Sequence, residues 1–320
     1  MSTRSATITR CVALVALAAP LAAQSADTTS YVTTLGKDTT SIEQYVRVGN
    51  TITGAWIQRQ GDVYVHDYAM VLRPDGWPAH YVMTLYTTRP HTFLMSVTYG
   101  RDSAMRVMVR DSTAITMRVA TTHAYPIAAI SVLAWDLALA RARTAGTDTS
   151  TIGVEYVEVR GPPQALAVKF FGADSVRIGA NMSGRVDSNG RLLALRAGPL
   201  ETRRASSLDV ATLVRGFIAA DSATKAARVE VSLSPAALRR FAGEYTLSPN
   251  AVFVITVDGK RLSGRVGQRP PMQLLAASPT TFFLETTTAV TFEFETDAAG
   301  NVTAVTLVQG GVRQRAGKTK

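Results

Sequence analysis

The chain has 320 residues, 46% of them hydrophobic and 18% charged, which supplies apolar material for more than one packed core and excludes a single small domain; two are expected. Its one cysteine, Cys11, lies within the first two dozen residues, so the rest of the chain can make neither a disulfide nor a thiolate metal site. The formal charge is +10, but the basic residues are mostly single arginines between apolar neighbours, such as Arg106, Arg110 and Arg118. That is the pattern of a solvated strand face, not of the clustered phosphate contacts of a nucleic-acid binder.

Residues 1–23 read as a signal peptide. Arg4 and Arg10 precede an apolar run from Cys11 to Leu21, and Leu21, Ala22 and Ala23 supply small residues for cleavage before Gln24. The run is too short to span a bilayer, and no later stretch approaches 18 apolar residues, so no transmembrane span is expected. A periplasmic or extracellular protein follows, with cleavage near Ala23. Cys11 stands at the start of the apolar run and not at the cleavage point, which argues against a lipid anchor.

From residue 31 to residue 119 short runs of Val, Thr, Ile, Met and Tyr alternate with Gly, Asp, Asn and Pro, as successive antiparallel strands do. Residues 42–48 and 51–58 flank Gly49-Asn50, and residues 63–72 and 79–87 flank a turn from Arg73 to Pro78; both read as hairpins. Met105, Val107 and Val109 alternate with Arg106, Met108 and Arg110, predicting an apolar inner face and an outward arginine face. A helix is expected over residues 126–145, opened by Pro126 and carrying Ile127, Ile130, Leu133, Leu137 and Ala140 at helical spacing. Val132, Trp135 and Leu139 lie off that stripe, which predicts a helix buried against the sheet. Strands resume over residues 153–160, 165–171, 175–180 and 191–196.

The fold class expected is therefore mainly β: a curved antiparallel half-barrel over residues 28–200 with one buried helix, followed by a small β-barrel domain. In outline the first unit resembles the periplasmic half-barrels of the lipoprotein-carrier and sigma-regulator type, a topological likeness that covers no motif. Residues 201–233 read as a connector containing a helix, with Val210, Leu213, Val214 and Phe217 on one side.

Over residues 234–320 the signals are denser. Ser234 and Pro235 can cap and open a short helix, and Leu238, Phe241, Gly243 and Tyr245 follow. A hairpin with Val257, Asp258, Gly259 and Leu262 comes next, then Phe282 and Phe283, then Phe292 and Phe294, and a closing run with Asp297, Gly300, Val302, Val305 and Leu307. In this order the residues resemble the small lipocalin-like domain appended to β-lactamase-related serine hydrolases and peptidases. The resemblance covers about a quarter of the chain and implies a small barrel acting as an accessory or assembly domain, with no catalytic residue of its own.

An enzyme of that class would need a serine with a lysine one helical turn later, plus companion motifs. Ser222 and Lys225 have the first spacing but stand in the connector, and Lys318-Thr319-Lys320 lacks the glycine of the Lys-Thr-Gly strand. No catalytic residues are assigned. His66, His80, His91 and His123 fall within 58 residues, but pairing across the Asp75-Gly76 turn sets His66 opposite Leu85 and His80 opposite Val71. The two rings are then roughly 17 Å apart along the strands, and no His-x-His or His-Glu-x-x-His occurs; neither metal nor other cofactor is expected. Asp136, in the buried helix, would titrate high if unpaired, and is expected to answer an arginine, either Arg141 or one on a strand.

The leading expectation is a non-catalytic exported protein holding an apolar small molecule or lipid in the first domain, beside Met95, Met105, Met117 and Trp135. The alternatives are a hydrolase of unrecognised type, or an envelope-assembly partner that forms a homo-oligomer or binds another envelope protein.

Overall fold

The structure is a computed structural model. It describes residues 26–59, 63–86, 93–110, 112–121, 123–128, 131–146, 148–156, 163–248, 251–267, 271–285, 287 and 289–319. The expected signal peptide, Ile130 and His91 lie outside the described residues.

Eight strands come first: β1 (Asp27–Leu35), β2 (Asp38–Val48), β3 (Thr51–Arg59), β4 (Val63–Leu72), β5 (Pro78–Tyr86), β6 (Phe93–Tyr99), β7 (Ser103–Arg110) and β8 (Thr113–Ala120). A short β9 (Tyr125–Ile127) leads to α1 (Leu133–Thr144). Six more strands follow: β10 (Thr149–Tyr156), β11 (Gln164–Phe171), β12 (Ser175–Ile178), β13 (Met182–Val186), β14 (Leu192–Ala197) and β15 (Leu200–Ala205). After α2 (Val210–Ala227) and α3 (Pro235–Arg239) come β16 (Gly243–Ser248), β17 (Ala251–Asp258), β18 (Arg261–Val266), β19 (Met272–Ala276), β20 (Thr281–Leu284), β21 (Val290–Thr296), β22 (Val302–Gln309) and β23 (Val312–Lys318).

The first fifteen strands form one sheet, ordered β8-β7-β6-β5-β4-β3-β2-β1-β15-β14-β13-β12-β11-β10-β9. The join is β1 against β15, with Val32 opposite Arg203 and Leu35 opposite Leu200. Residues 201–205 are thus part of the sheet and not of the connector; their run of Glu and Arg hid a strand whose outer face meets water. The expected hairpins hold, and His66 pairs with Leu85 and His80 with Val71 as the turn arithmetic requires.

The sheet curls until its two ends meet. Arg106 on β7 and Glu155 on β10, near opposite ends of the strand order, form an ion pair with both side chains 1% exposed. The Tyr125 hydroxyl on β9 also donates to the Gly76 carbonyl in the β4–β5 turn, at 3.0 Å. Arg106 is therefore buried, and its expected outward placement is overturned. The core-facing residues of β7 are Ala104 and Arg106, while Met105 is 44% exposed on the other face. Simple alternation misjudged this strand because the partner charge lies 49 residues away.

The helix starts later than expected. Pro126 sits in β9, which runs parallel to β10 with Pro126 opposite Glu155, and α1 begins at Leu133 in the concavity. On the outer face α2 lays Val214 and Phe217 on Ile42, Ile57 and Val63, and Arg59 pairs with Asp221 at 2.6 Å.

The last eight strands close into a barrel, β16 pairing with β23. Ser234 caps α3 by accepting from the Ala237 N–H, as its position before Pro235 predicts. Phe241, Tyr245, Phe253 and Phe282 are at most 1% exposed, and the Tyr245 hydroxyl donates to the Phe241 carbonyl at 2.7 Å. The residues that carry the lipocalin-like resemblance are in large part this core: Leu238, Leu262, Phe292, Phe294, Val302 and Val305 join it. The motif therefore specifies packing. The two units touch turn to turn, the Lys37 N–H donating to the Gly310 carbonyl at 3.2 Å.

Candidate functional site

Buried ionisable groups converge on the concave side of the large sheet, around α1. Eight residues of this helix are buried: Leu133, Ala134, Trp135, Asp136, Leu137, Ala138, Leu139 and Ala142. Strand side chains meet them, including Tyr31, Tyr45, Trp56, Met70 and Met95. Fully burying such side chains stabilises by about 1.5–3 kcal/mol each. The concavity is occupied by the protein's own helix.

A helix with its N-terminus inside a core must find acceptors for its first N–H groups. Val132, at the cap position, offers no side-chain acceptor. The acceptor comes instead from β2: the Glu43 carboxylate takes hydrogen bonds from the Val132 and Leu133 N–H groups, from the Ser131 hydroxyl at 2.9 Å and from the Tyr68 hydroxyl at 2.8 Å. Burial pushes the Glu43 carboxyl above the ordinary glutamate range, while these four donors pull it back down. The positive end of the helix also favours a carboxylate here.

One turn on, Asp136 is wholly buried. It accepts from the Tyr45 hydroxyl, from the Leu192 N–H and from Arg191 Nε at 2.8 Å. The Arg191 guanidinium also reaches Asp27 at 3.0 Å, Thr29 at 2.9 Å and the Tyr45 hydroxyl at 3.0 Å. Burial, then the Asp136 charge, raises Tyr31 and Tyr45 far beyond the ordinary tyrosine range, so both are neutral donors. The expected arginine partner of Asp136 exists, and it is Arg191 rather than Arg141, whose Nε donates to the Asp75 carbonyl. Glu43 was missed in the sequence because, within Ile-Glu-Gln-Tyr, it looks like an outward strand residue.

The histidines are dispersed. His66 is buried, stacked on Trp56 at 3.9 Å between ring centroids, with Nδ1 3.3 Å from the Trp56 carbonyl oxygen. Burial pushes this ring down to about 4, so it is neutral in ordinary buffers. His80 Nδ1 lies 3.1 Å from the Thr98 hydroxyl, and the His123 ring packs at a tilt against Trp77. Among the described residues no group of three metal-ligating side chains is found. Ser222 is exposed on α2, on the other side of the sheet from α1.

The four residues expected to line an apolar site do not share one. Met95 and Trp135 pack in the core beneath and within α1. Met117 lies on edge strand β8, opposite Arg106 and only part-buried. Met105 faces away from the core altogether, because its neighbours Ala104 and Arg106 take the inward positions.

The class defined by this geometry is a mainly β protein of two units: a curved sheet wrapped on a helix, and a closed antiparallel barrel. Residues 227–316 match the family model of a domain of unknown function, DUF3471, which spans the barrel and assigns it no activity. No curated protein matches the chain. Among solved structures, the chain is similar to a beta-barrel-like protein of domain of unknown function DUF1849 from Brucella abortus, at 9% identity, covering 55% of this chain and 93% of that one with a TM-score of 0.37. It is also similar to SurE with D-Leu, at 17% identity over 48% of this chain and 35% of that one, TM-score 0.25.

Proposed function

We propose that this is an exported, non-catalytic envelope protein. In this reading its first unit is a rigid, self-filled binding platform, and its second is an accessory barrel of the kind appended to β-lactamase-related hydrolases. One observation carries the reading: α1 fills the concavity, and the carboxylates beside it, Glu43 and Asp136, are committed to holding it. A general base or nucleophile must reach a bound substrate, and these groups face only protein donors. The test is a broad ester, peptide and β-lactam screen on the wild type and on Ser222→Ala and His66→Ala. Turnover at the buffer rate in all three is expected; turnover abolished by either substitution would overturn the reading.

A second reading, an apolar small molecule or lipid held in the first unit, requires α1 to move. It is supported by the helix having no side-chain cap of its own and, among the described residues, resting on Glu43 at its N-terminus. Saturable binding of a fluorescent lipid analogue to the full chain would favour it over the first.

A further inference from the structure

On the outer face of β11 to β15 the strand register builds two adjacent cross-strand rows. One runs Lys169, Arg177, Ser183, Arg196, Glu201; the other runs Phe171, Ser175, Arg185, Ala194, Arg203. At about 4.8 Å between strands the rows cross roughly 19 Å of sheet. They border an open groove of about 470 Å³. Five cations here meet two carboxylates: Glu201, shared by Arg196 and Arg203, and Asp174, 3.5 Å from Arg185. On the barrel, two exposed arginines each have a carboxylate of their own two strands away, Arg313 with Glu293 and Arg315 with Glu295. In the groove, Arg185, Arg196 and Arg203 have side chains at least 66% exposed.

We propose that this groove binds a linear polyanionic glycan, bearing carboxylate or sulfate groups, laid across the strands. Guanidinium groups spaced along a line match a polymer of repeating anions better than a single small anion. The serine hydroxyls between them can bond sugar hydroxyls. Single-stranded nucleic acid is disfavoured because it needs open aromatic faces for its bases. Among the described residues that line the groove Phe171 is the one aromatic ring, and Lys169 and Arg177 already lie over it at 5.2 and 5.8 Å. A bilayer surface would call for apolar side chains to insert, whereas this is a recess rimmed by charge. The inference stands apart from the non-catalytic reading, since it is read by binding and not by turnover.

The experiment measures binding of the full chain to fluorescently labelled heparin and polygalacturonate across a salt series, with neutral dextran, single-stranded DNA and phosphatidylglycerol vesicles as comparisons. Salt-sensitive, saturable binding to the two anionic glycans is expected. Arg185→Ser/Arg196→Ser/Arg203→Ser should weaken it about tenfold or more and flatten the salt slope by roughly three counterions, while Arg313→Ser/Arg315→Ser leaves it within about twofold. Glu201→Gln should tighten binding by unmasking two guanidinium groups, a gain that a misfolded variant cannot imitate. Equal losses in the two multiple variants, no gain in Glu201→Gln, absence of glycan binding, or tighter binding of DNA or vesicles would each overturn the proposal.

Discussion

The large sheet and the small barrel both bury one face of an antiparallel meander, but they fill their interiors differently. The barrel has eight strands and closes by pairing β16 with β23; its centre is almost wholly aromatic and aliphatic, with Phe241, Phe282 and Phe294 packed at 4.8–5.3 Å between centroids. The sheet has fifteen strands and encloses more space than strand side chains can reach across. It takes in a helix, and with the helix come end groups that must be satisfied. The buried carboxylates Glu43 and Asp136 follow from that choice, as Arg106 with Glu155 follows from leaving the two sheet ends to meet without pairing. The width of the sheet accounts for the polar interior.

The sharpest way to break this comparison is Glu43→Ala. It strips the acceptor from four buried donors, and a loss of about 3–5 kcal/mol is expected, read by urea unfolding. Trp56, Trp77 and Trp135 are the chain's three tryptophans and all lie in the first unit, so their fluorescence follows the sheet alone. The counterpart in the barrel is Phe282→Ala, expected to cost about 3–4 kcal/mol through the cavity it leaves. Circular dichroism should show that loss while the tryptophan transition stays put. A shared shift would mean that the two units unfold as one.

A smaller effect distinguishes the sheet by pH. Burial holds the folded-state His66 ring at about 4 against an ordinary 6.5. Between those values the unfolded chain binds the extra proton, so stability falls as the pH drops through that window, by about 3 kcal/mol at most. His66→Phe keeps the stack on Trp56 and should flatten that part of the profile relative to wild type. The smallest effect concerns the seam between the units. Gly36 has a φ of 60°, and a Cβ there would stand 2.3 Å from the Gly310 carbonyl oxygen, so Gly36→Ala should cost about 1–2 kcal/mol, read by urea unfolding.

Local signals carried much of this architecture. Alternation and turn residues predicted the hairpins and their register, and in the barrel the order of Phe, Gly and Asp positions pointed to a small barrel because those residues are its core and turns. What alternation could not supply was the direction a charged residue faces when its partner is distant in the chain. Arg106 reads as solvated until Glu155 is brought against it from the other end of the sheet, and Glu43 until Val132 and Leu133 turn their N–H groups toward it. Pro126 is a good first-turn residue and equally good in an edge strand, so local preference alone could not choose. The arginine rows on β11 to β15 are invisible in sequence, since their spacing appears only once five strands are in register.

The central claim is that α1 is a permanent part of the first unit's core, and native-state hydrogen exchange on its amides tests it most directly. The amides of Leu137, Ala138, Leu139 and Ala142 should exchange only through global unfolding of the sheet, with the same free energy that tryptophan fluorescence gives in urea. Exchange several kcal/mol more easily than the strands around it would mark α1 as a lid over a fillable cavity, and would contradict the account.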